Sequence, residues 1–215
     1  LCIIGKLEPG ERERLRPFIS ERAFRKGELL QEQAQSAAQL RVVKTGMTLL
    51  LRRGVSGQRS VIAVAGQGQT MGVLSLLGQS EILDAQSACA GRMCEIGLEA
   101  LRRHGLGDVR FQTELAWQEL ATLARMADWA QLVHLRSMPA RLLAALRLLS
   151  AEQRSTCVRI PSRSVLAELL GTTRETVTRS LGSLLQSNAV RCRDRWHYEL
   201  PAAAASASFV GPPAV

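Results

Sequence analysis

The spacing of apolar positions changes three times along the chain. From Arg25 to about Ile96 they come in short clusters separated by Gly, Ser and Gln: Leu40-Arg41-Val42-Val43, Met47-Thr48-Leu49-Leu50-Leu51 and Ser60-Val61-Ile62-Ala63-Val64. Gly27, Gly46, Gly54, Gly57, Gly66, Gly68, Gly72 and Gly91 punctuate them. Short Val/Leu/Ile runs bounded by turn residues read as strands, and many of them together predict a small β barrel or jelly roll. Ahead of them, Leu7 to Phe24 is charged and mildly amphipathic, which predicts a short helix and lead-in. From Asp108 to Arg136 there is no Gly or Pro, and Ala, Leu, Glu, Gln and Arg dominate; this predicts one long helix.

Within that helix Ala116, Leu120, Leu123, Ala127 and Ala130 alternate spacings of four and three, the seam of a coiled coil. Trp117, Leu132 and Val133 widen it. The seam packs either on its own β domain or on a second copy of the chain. Its alternation of small and large residues suits a two-fold partner, so a homodimer is expected. Pro139 marks a break, because proline disfavours helical geometry in the residue before it; the stretch to Ser150 is helical again. Pro201 to Val215 is rich in Ala, Ser and Pro and uncharged, and predicts a disordered tail.

The next pattern is Ser162-Arg163-Ser164-Val165-Leu166-Ala167-Glu168-Leu169-Leu170-Gly171-Thr172-Thr173-Arg174-Glu175-Thr176-Val177-Thr178-Arg179. Two helices that cross steeply must approach closely, and Ala167 is small enough to allow it. Gly171 can end the first helix at a positive φ that only glycine adopts cheaply. Val177 plugs the crossing from the second helix, and Leu166, Leu169 and Leu181 complete the core face. Thr172 with Glu175 fits a capping box. The second helix then exposes Arg174, Glu175, Thr178 and Arg179 near its N-terminus, the end that enters a major groove in helix-turn-helix proteins. Arg can donate two hydrogen bonds to guanine and Glu can accept one from cytosine. Glu175 is read either as a specificity device of this kind or as an i,i+4 ion-pair partner of Arg179. Asn188-Ala189-Val190 and Arg191-Cys192-Arg193-Asp194-Arg195-Trp196-His197-Tyr198 follow as a hairpin wing, whose arginines either reach phosphates or form a solvated basic hairpin.

The expected fold is therefore α+β: a β-roll sensor-like domain over 1–107, a dimerisation helix over 108–137, a winged helix-turn-helix over 138–200 and a tail over 201–215. Charge agrees with this division. The formal net charge is +9, which suits a polyanionic partner. Residues 138–200 carry ten Arg and five acids, a net of +5, whereas 1–137 carry eighteen basic and fourteen acidic residues, a net of +4. Cys2, Cys89, Cys94, Cys157 and Cys192 have neither the spacing nor the nearby histidines of a zinc site; most are expected to be small buried hydrophobes. No apolar run is long enough for a membrane helix, and Leu1-Cys2-Ile3-Ile4-Gly5 is too short for a signal peptide. A cytoplasmic protein is expected.

At these residues the chain resembles the cyclic-AMP receptor protein/FNR family of bacterial transcription regulators. Thr173-Arg174-Glu175-Thr176-Val177-Thr178-Arg179 looks like the family's recognition-helix motif, and the order of roll, long helix and winged helix-turn-helix extends the resemblance over nearly the whole chain. It implies base reading by Arg174, Glu175 and Arg179, phosphate contacts by Ser162, Arg163, Thr173 and Thr176, and half-sites resembling TGTGA in double-stranded DNA. It also implies contact with RNA polymerase near Ala151–Cys157.

Ala65-Gly66-Gln67-Gly68-Gln69-Thr70-Met71-Gly72 is similar to the approach to the family's nucleotide phosphate cassette, where cyclic-nucleotide binders carry Gly-Glu-Leu and then an Arg-Ser-Ala type run. This chain has Gly72-Val73-Leu74 and Gln86-Ser87-Ala88, a degenerate nucleotide pocket at Gly72, Val73, Gln86 and Ser87. Val73 cannot accept a ribose hydroxyl, and Gln86 cannot neutralise a cyclic phosphate as Arg would; cyclic AMP is not expected as effector. An iron–sulfur cluster is not expected either, with Cys2 alone in the N-terminal stretch. His104 and His134 are the candidate axial ligands if a haem is held, and Cys192, between Arg191 and Arg193, is the candidate redox thiol. The effector, if any, is unassigned.

Two other classes stand beside this one. A ligand-binding or haem-binding sensor would gate DNA binding, and a ligand module without DNA binding would use its basic segment for protein contacts. An enzyme is not expected: Gly66-Gln67-Gly68-Gln69-Thr70-Met71-Gly72 misses the dinucleotide fingerprint by one residue, and there is no nucleophile elbow, HExxH or Walker motif.

Overall fold

The structure, a computed structural model, describes residues 9–103 and 109–201. Cys2, His104 and the tail beyond Pro201 lie outside the described residues. The chain divides into two compact units between Arg125 and Met126, inside the long helix.

The first unit begins with α1 (Pro9–Leu15) and a turn of 3-10 helix at Arg16–Phe18, then β1 (Ile19–Phe24), β2 (Leu29–Gln31), β3 (Gln39–Thr45), β4 (Thr48–Arg53), β5 (Arg59–Ala65) and β6 (Thr70–Met71). The single turn α2 (Val73–Leu76), β7 (Asp84–Ser87), β8 (Gly91–Gly97), α3 (Leu98–Arg103) and the long α4 (Val109–Gln131) follow. The strands form two four-stranded sheets, in the orders β1-β8-β3-β6 and β2-β7-β4-β5, with antiparallel pairing throughout. The expected strands are present as β3, β4 and β5, with bounds that extend past their apolar clusters by one to two residues at one or both ends and, in β4, leave out Met47. Ile19–Phe24 corrects the expected helical lead-in: it is a strand paired with β8, and its Glu21 and Arg22 find partners across the sheet.

One apolar cluster joins the strands to the helices. Leu40 and Val42 of β3 and Ile96 of β8 pack with Leu15, Val73, Leu98, Leu101, Phe111 and Leu115. Burial of this kind stabilises each large side chain by about 1.5–3 kcal/mol. Two buried acids are held by arginines. Asp84, fully buried, lies 3.2 Å from Arg53 and 2.7 Å from Arg59. Glu95 lies 3.1 Å from Arg22 and 2.9 Å from Arg41.

The second unit contains the end of α4, a 3-10 turn at Leu132–His134, α5 (Met138–Gln153), β9 (Cys157–Arg159), α6 (Arg163–Leu169), α7 (Arg174–Gln186), β10 (Arg191–Cys192) and β11 (His197–Glu199). Pro139 sits in the first turn of α5, where its missing N–H costs nothing; the break itself falls before Ser137, the N-cap. β9 joins the wing strands in a sheet of order β10-β11-β9. Leu142, Leu146, Leu149, Leu166, Val177, Leu181, Val158 and Tyr198 are buried in this unit.

Candidate nucleic-acid interface and the roll cassette

The α6–α7 turn is built as its residues dictate. Ser162 caps α6, its hydroxyl accepting from the Val165 amide at 3.3 Å. Gly171 has φ +60°, a left-handed turn that a Cβ would strain. Val177 is fully buried, with Ala167, Leu166, Leu169 and Leu181. The cap of α7 differs from the expectation by one residue. Thr173, not Thr172, is the N-cap: its hydroxyl accepts from the Thr176 amide at 3.3 Å and lies 3.0 Å from the Thr176 hydroxyl. Glu175 is then the second helical residue and closes no capping box. An acid in the first turn is still favoured by the helix dipole.

With the cap supplied by Thr173, the side chains of the first turns are left over. Arg174, Glu175, Thr178 and Arg179 are all exposed. No ion pair joins Glu175 to Arg179 among the described residues, so the pairing alternative is not the one adopted here. Thr178 donates to the Arg174 carbonyl at 3.0 Å, which fixes its rotamer. Arg163, half-buried at the start of α6, reaches the Thr178 hydroxyl at 3.4 Å; it therefore stands beside the proposed reading face, a proximity that sequence spacing of fifteen does not reveal. Either hydroxyl of the Thr173–Thr176 pair can donate to the other, and the remaining hydroxyl proton has no acceptor among the described residues.

The wing is a tight hairpin. Asp194 accepts from the amides of Trp196 at 2.7 Å and His197 at 3.0 Å and from the His197 ring; the Trp196 amide, and after it the His197 ring, holds this carboxyl below its usual value. Arg193 pairs with Glu199, and Arg195 stacks over Trp196 at 4.7 Å. Arg191 is exposed. Of the four described cysteines, Cys89 is buried and Cys94 half-buried, but Cys157 and Cys192 are exposed, against the expectation for most of them. The Cys192 thiol donates to the Asp194 carbonyl at 3.2 Å. His134 is exposed on its 3-10 turn.

Along α4 the residues separate by face. Phe111, Leu115, Thr122 and Trp129 are buried. Ala116, Leu120, Leu123, Ala127 and Ala130 are all exposed, Leu120 and Leu123 to 54% and 62%, with Trp117 beside them at 57%.

The cassette residues are committed to the fold. Gly72 has φ +86°, and a Cβ there would come within 2.3 Å of the Gln39 carbonyl; its amide donates to Gln31 at 2.9 Å. Val73 belongs to the core cluster. Gln86 donates to the Gly27 carbonyl at 2.9 Å. Ser87 donates to the Arg25 carbonyl and accepts from the Glu28 amide. The roll's cleft, of about 260 Å³, is lined by other residues, among them Leu30, Gln31, Ala37, Ala38, Arg41 and Glu81. Of the four positions named as a degenerate pocket, Val73 is core and Gln86 and Ser87 tie strands to the turn before β2, and none of the four lines this cleft.

Two family models match the chain, "Cyclic nucleotide-binding domain" over residues 21–104 and "Crp-like helix-turn-helix domain" over 140–205. A curated protein, the cyclic AMP receptor protein of Thermus thermophilus, is 30% identical over 190 residues, 86% of each chain. Among solved structures, FixK2 from Bradyrhizobium japonicum superposes with a TM-score of 0.71 at 22% identity, covering 85% of this chain and 92% of its own. The global regulator CLP of Xanthomonas campestris, described as responsive to c-di-GMP, gives 0.67 at 19% identity, covering 90% and 100%. These two show the same fold.

Proposed function

The chain belongs to the cyclic-AMP receptor protein/FNR family of transcription regulators, and from that premise we propose that it binds a pseudo-palindromic DNA site as a homodimer without cyclic AMP. The observation that carries the reading is the first two turns of α7. Arg174, Glu175 and Arg179 are exposed on a rigid, capped helix, and no ion pair among them diverts their hydrogen bonds. Arg174 and Arg179 read guanines, and Glu175 accepts from a cytosine amino group. Ser162, Arg163, Thr173 and Thr176 hold the flanking phosphates and set the register. The exposed seam Ala116–Leu120–Leu123–Ala127–Ala130 supports a two-fold contact between copies of the chain, and a two-fold pair of recognition helices reads half-sites about 34 Å apart.

The division of labour follows: 1–107 as roll, 108–137 as dimer helix, 138–200 as DNA reader. The protein acts in the cytoplasm, is not an enzyme, and contacts RNA polymerase from the Ala151–Cys157 region. Independence from cyclic AMP is supported by the fate of Val73 and Gln86: one is core, the other is bonded to the backbone. Electrophoretic mobility shifts on duplexes with paired half-sites test the reading. Binding should be salt-dependent, saturate at two chains per duplex, and need no cyclic AMP; sequence-independent binding would refute it.

A further inference from the structure

Glu81 differs from the other buried acids of the roll. It is 6% exposed, comparable with Glu95 at 7% and Asp84 at 0%. Those two are each met by two arginines; Glu81 pairs with no Arg or Lys among the described residues. Its Oε1 accepts from the Ser75 amide at 2.9 Å and the Ser75 hydroxyl at 2.7 Å. Its Oε2 accepts from no described residue. That oxygen is not among the buried polar atoms left without a partner, so it keeps contact with solvent, which a donor held in the cleft could replace.

The residue lines the 260 Å³ cleft, and so does Arg41. Arg41 directs Nε to Glu95, Nη1 to the Leu30 carbonyl and Nη2 to Gln39. A guanidinium has five N–H donors, so two remain without an acceptor among the described residues. Leu30, Ala37 and Ala38 supply apolar wall. The negative charge of Glu81 is felt nearby: the Glu119 carboxyl is pushed above its usual value by burial first, and also by Glu81, while the Thr70 hydroxyl and Arg125 act the other way. The cleft falls just below the roughly 300 Å³ at which drug-sized ligands begin to fit, which suits a compact molecule.

We propose that this cleft binds a small aliphatic amino acid as its zwitterion, the ammonium donating to Glu81 Oε2 and the carboxylate taking the two remaining Arg41 N–H groups. The site uses none of the cassette positions, and it does not depend on the DNA reading.

Calorimetry on the full chain without DNA tests it, with L-alanine, L-valine, L-leucine and L-isoleucine as probes. At least one should bind with a Kd on the order of 1 mM or tighter. Each singly charged analogue of the best ligand should bind at least about tenfold more weakly; for leucine these are 3-methylbutylamine and 4-methylpentanoate. Glu81→Gln keeps an acceptor for Ser75 and should abolish the binding heat. The proposal falls if all four amino acids are silent, if the amine or the acid binds as well as the amino acid, or if Glu81→Gln binds as the parent does. Should that variant not fold, the analogue comparison in the parent still decides. DNA binding measured separately stands or falls on its own.

Discussion

The roll and the helix-turn-helix unit use polar side chains in opposite ways. In the roll, polar groups in and around the cassette are committed to partners within the fold: Gln86 to the Gly27 carbonyl, Ser87 to the β1–β2 turn, Asp84 to two arginines, Glu95 to two more. In the second unit, α7 is held by apolar burial and a threonine cap, and its charged residues have no comparable commitments. The difference separates structure from recognition more sharply than residue type does. Arginines occur in both regions, but Arg22, Arg41, Arg53 and Arg59 of the roll neutralise buried acids, whereas Arg174 and Arg179 are exposed on an element that does not need them to fold. Glu81 is the exception in the roll, which is why it draws the inference above.

The sharpest break of this comparison is at α4, whose exposed seam behaves like neither region. Leu120→Glu with Leu123→Glu places four carboxylates across the proposed two-fold contact. Sedimentation should show monomers, and a dimer of undiminished stability would remove the homodimer from the proposal. The variant should leave the roll folded, since both positions are exposed.

Val73→Glu restores the acid that the family's nucleotide binders carry at this step. Because Val73 lies in the apolar core, the expected result is lost stability, on the order of 4 kcal/mol, in urea unfolding, with no gain of cyclic AMP affinity. Calorimetry of the parent chain with cyclic AMP should show no micromolar isotherm; one that did would contradict the reading of the cassette.

Glu119→Gln should have the smallest effect. The native carboxyl is held above its usual value mainly by burial, so its favourable contribution is fullest at low pH, below the unfolded value, and is lost as pH rises through the folded one. The amide can still accept from Thr70. The variant should therefore match or slightly exceed the parent's thermal stability at pH 7 and lose that advantage near pH 4; the reverse order would place the charge in a favourable site.

Much of this was legible from residue order, and the misses have physical reasons. β3, β4 and β5 were visible because both sheet faces of the roll put long apolar runs inside. β1 was not, because its polar Glu21 and Arg22 are explained only by Lys44 on β3 and Arg92 and Glu95 on β8, far away in sequence. β9 is three residues long and shows no period. Thr172 and Thr173 are equivalent as letters, and only the helix start distinguishes the cap. Glu81 sits in a polar loop sequence, and nothing short of its burial marks it. The exposed face of α7 was legible because Val177 and Leu181, which go inside, leave Arg174, Glu175 and Arg179 on the other side of its first turns.

The most direct test of whether that face reads bases is selection of bound duplexes from randomised half-sites, run in parallel on the parent chain, Arg174→Ala and Arg163→Ala. Arg174→Ala removes a base contact and should lose about 1–3 kcal/mol per half-site, with relaxed preference at one guanine. Arg163→Ala should weaken all sequences alike, leave the selected site unchanged, and lower the salt slope by about one per subunit. An unchanged selected sequence from Arg174→Ala would contradict the assignment of Arg174 as a reading residue of α7.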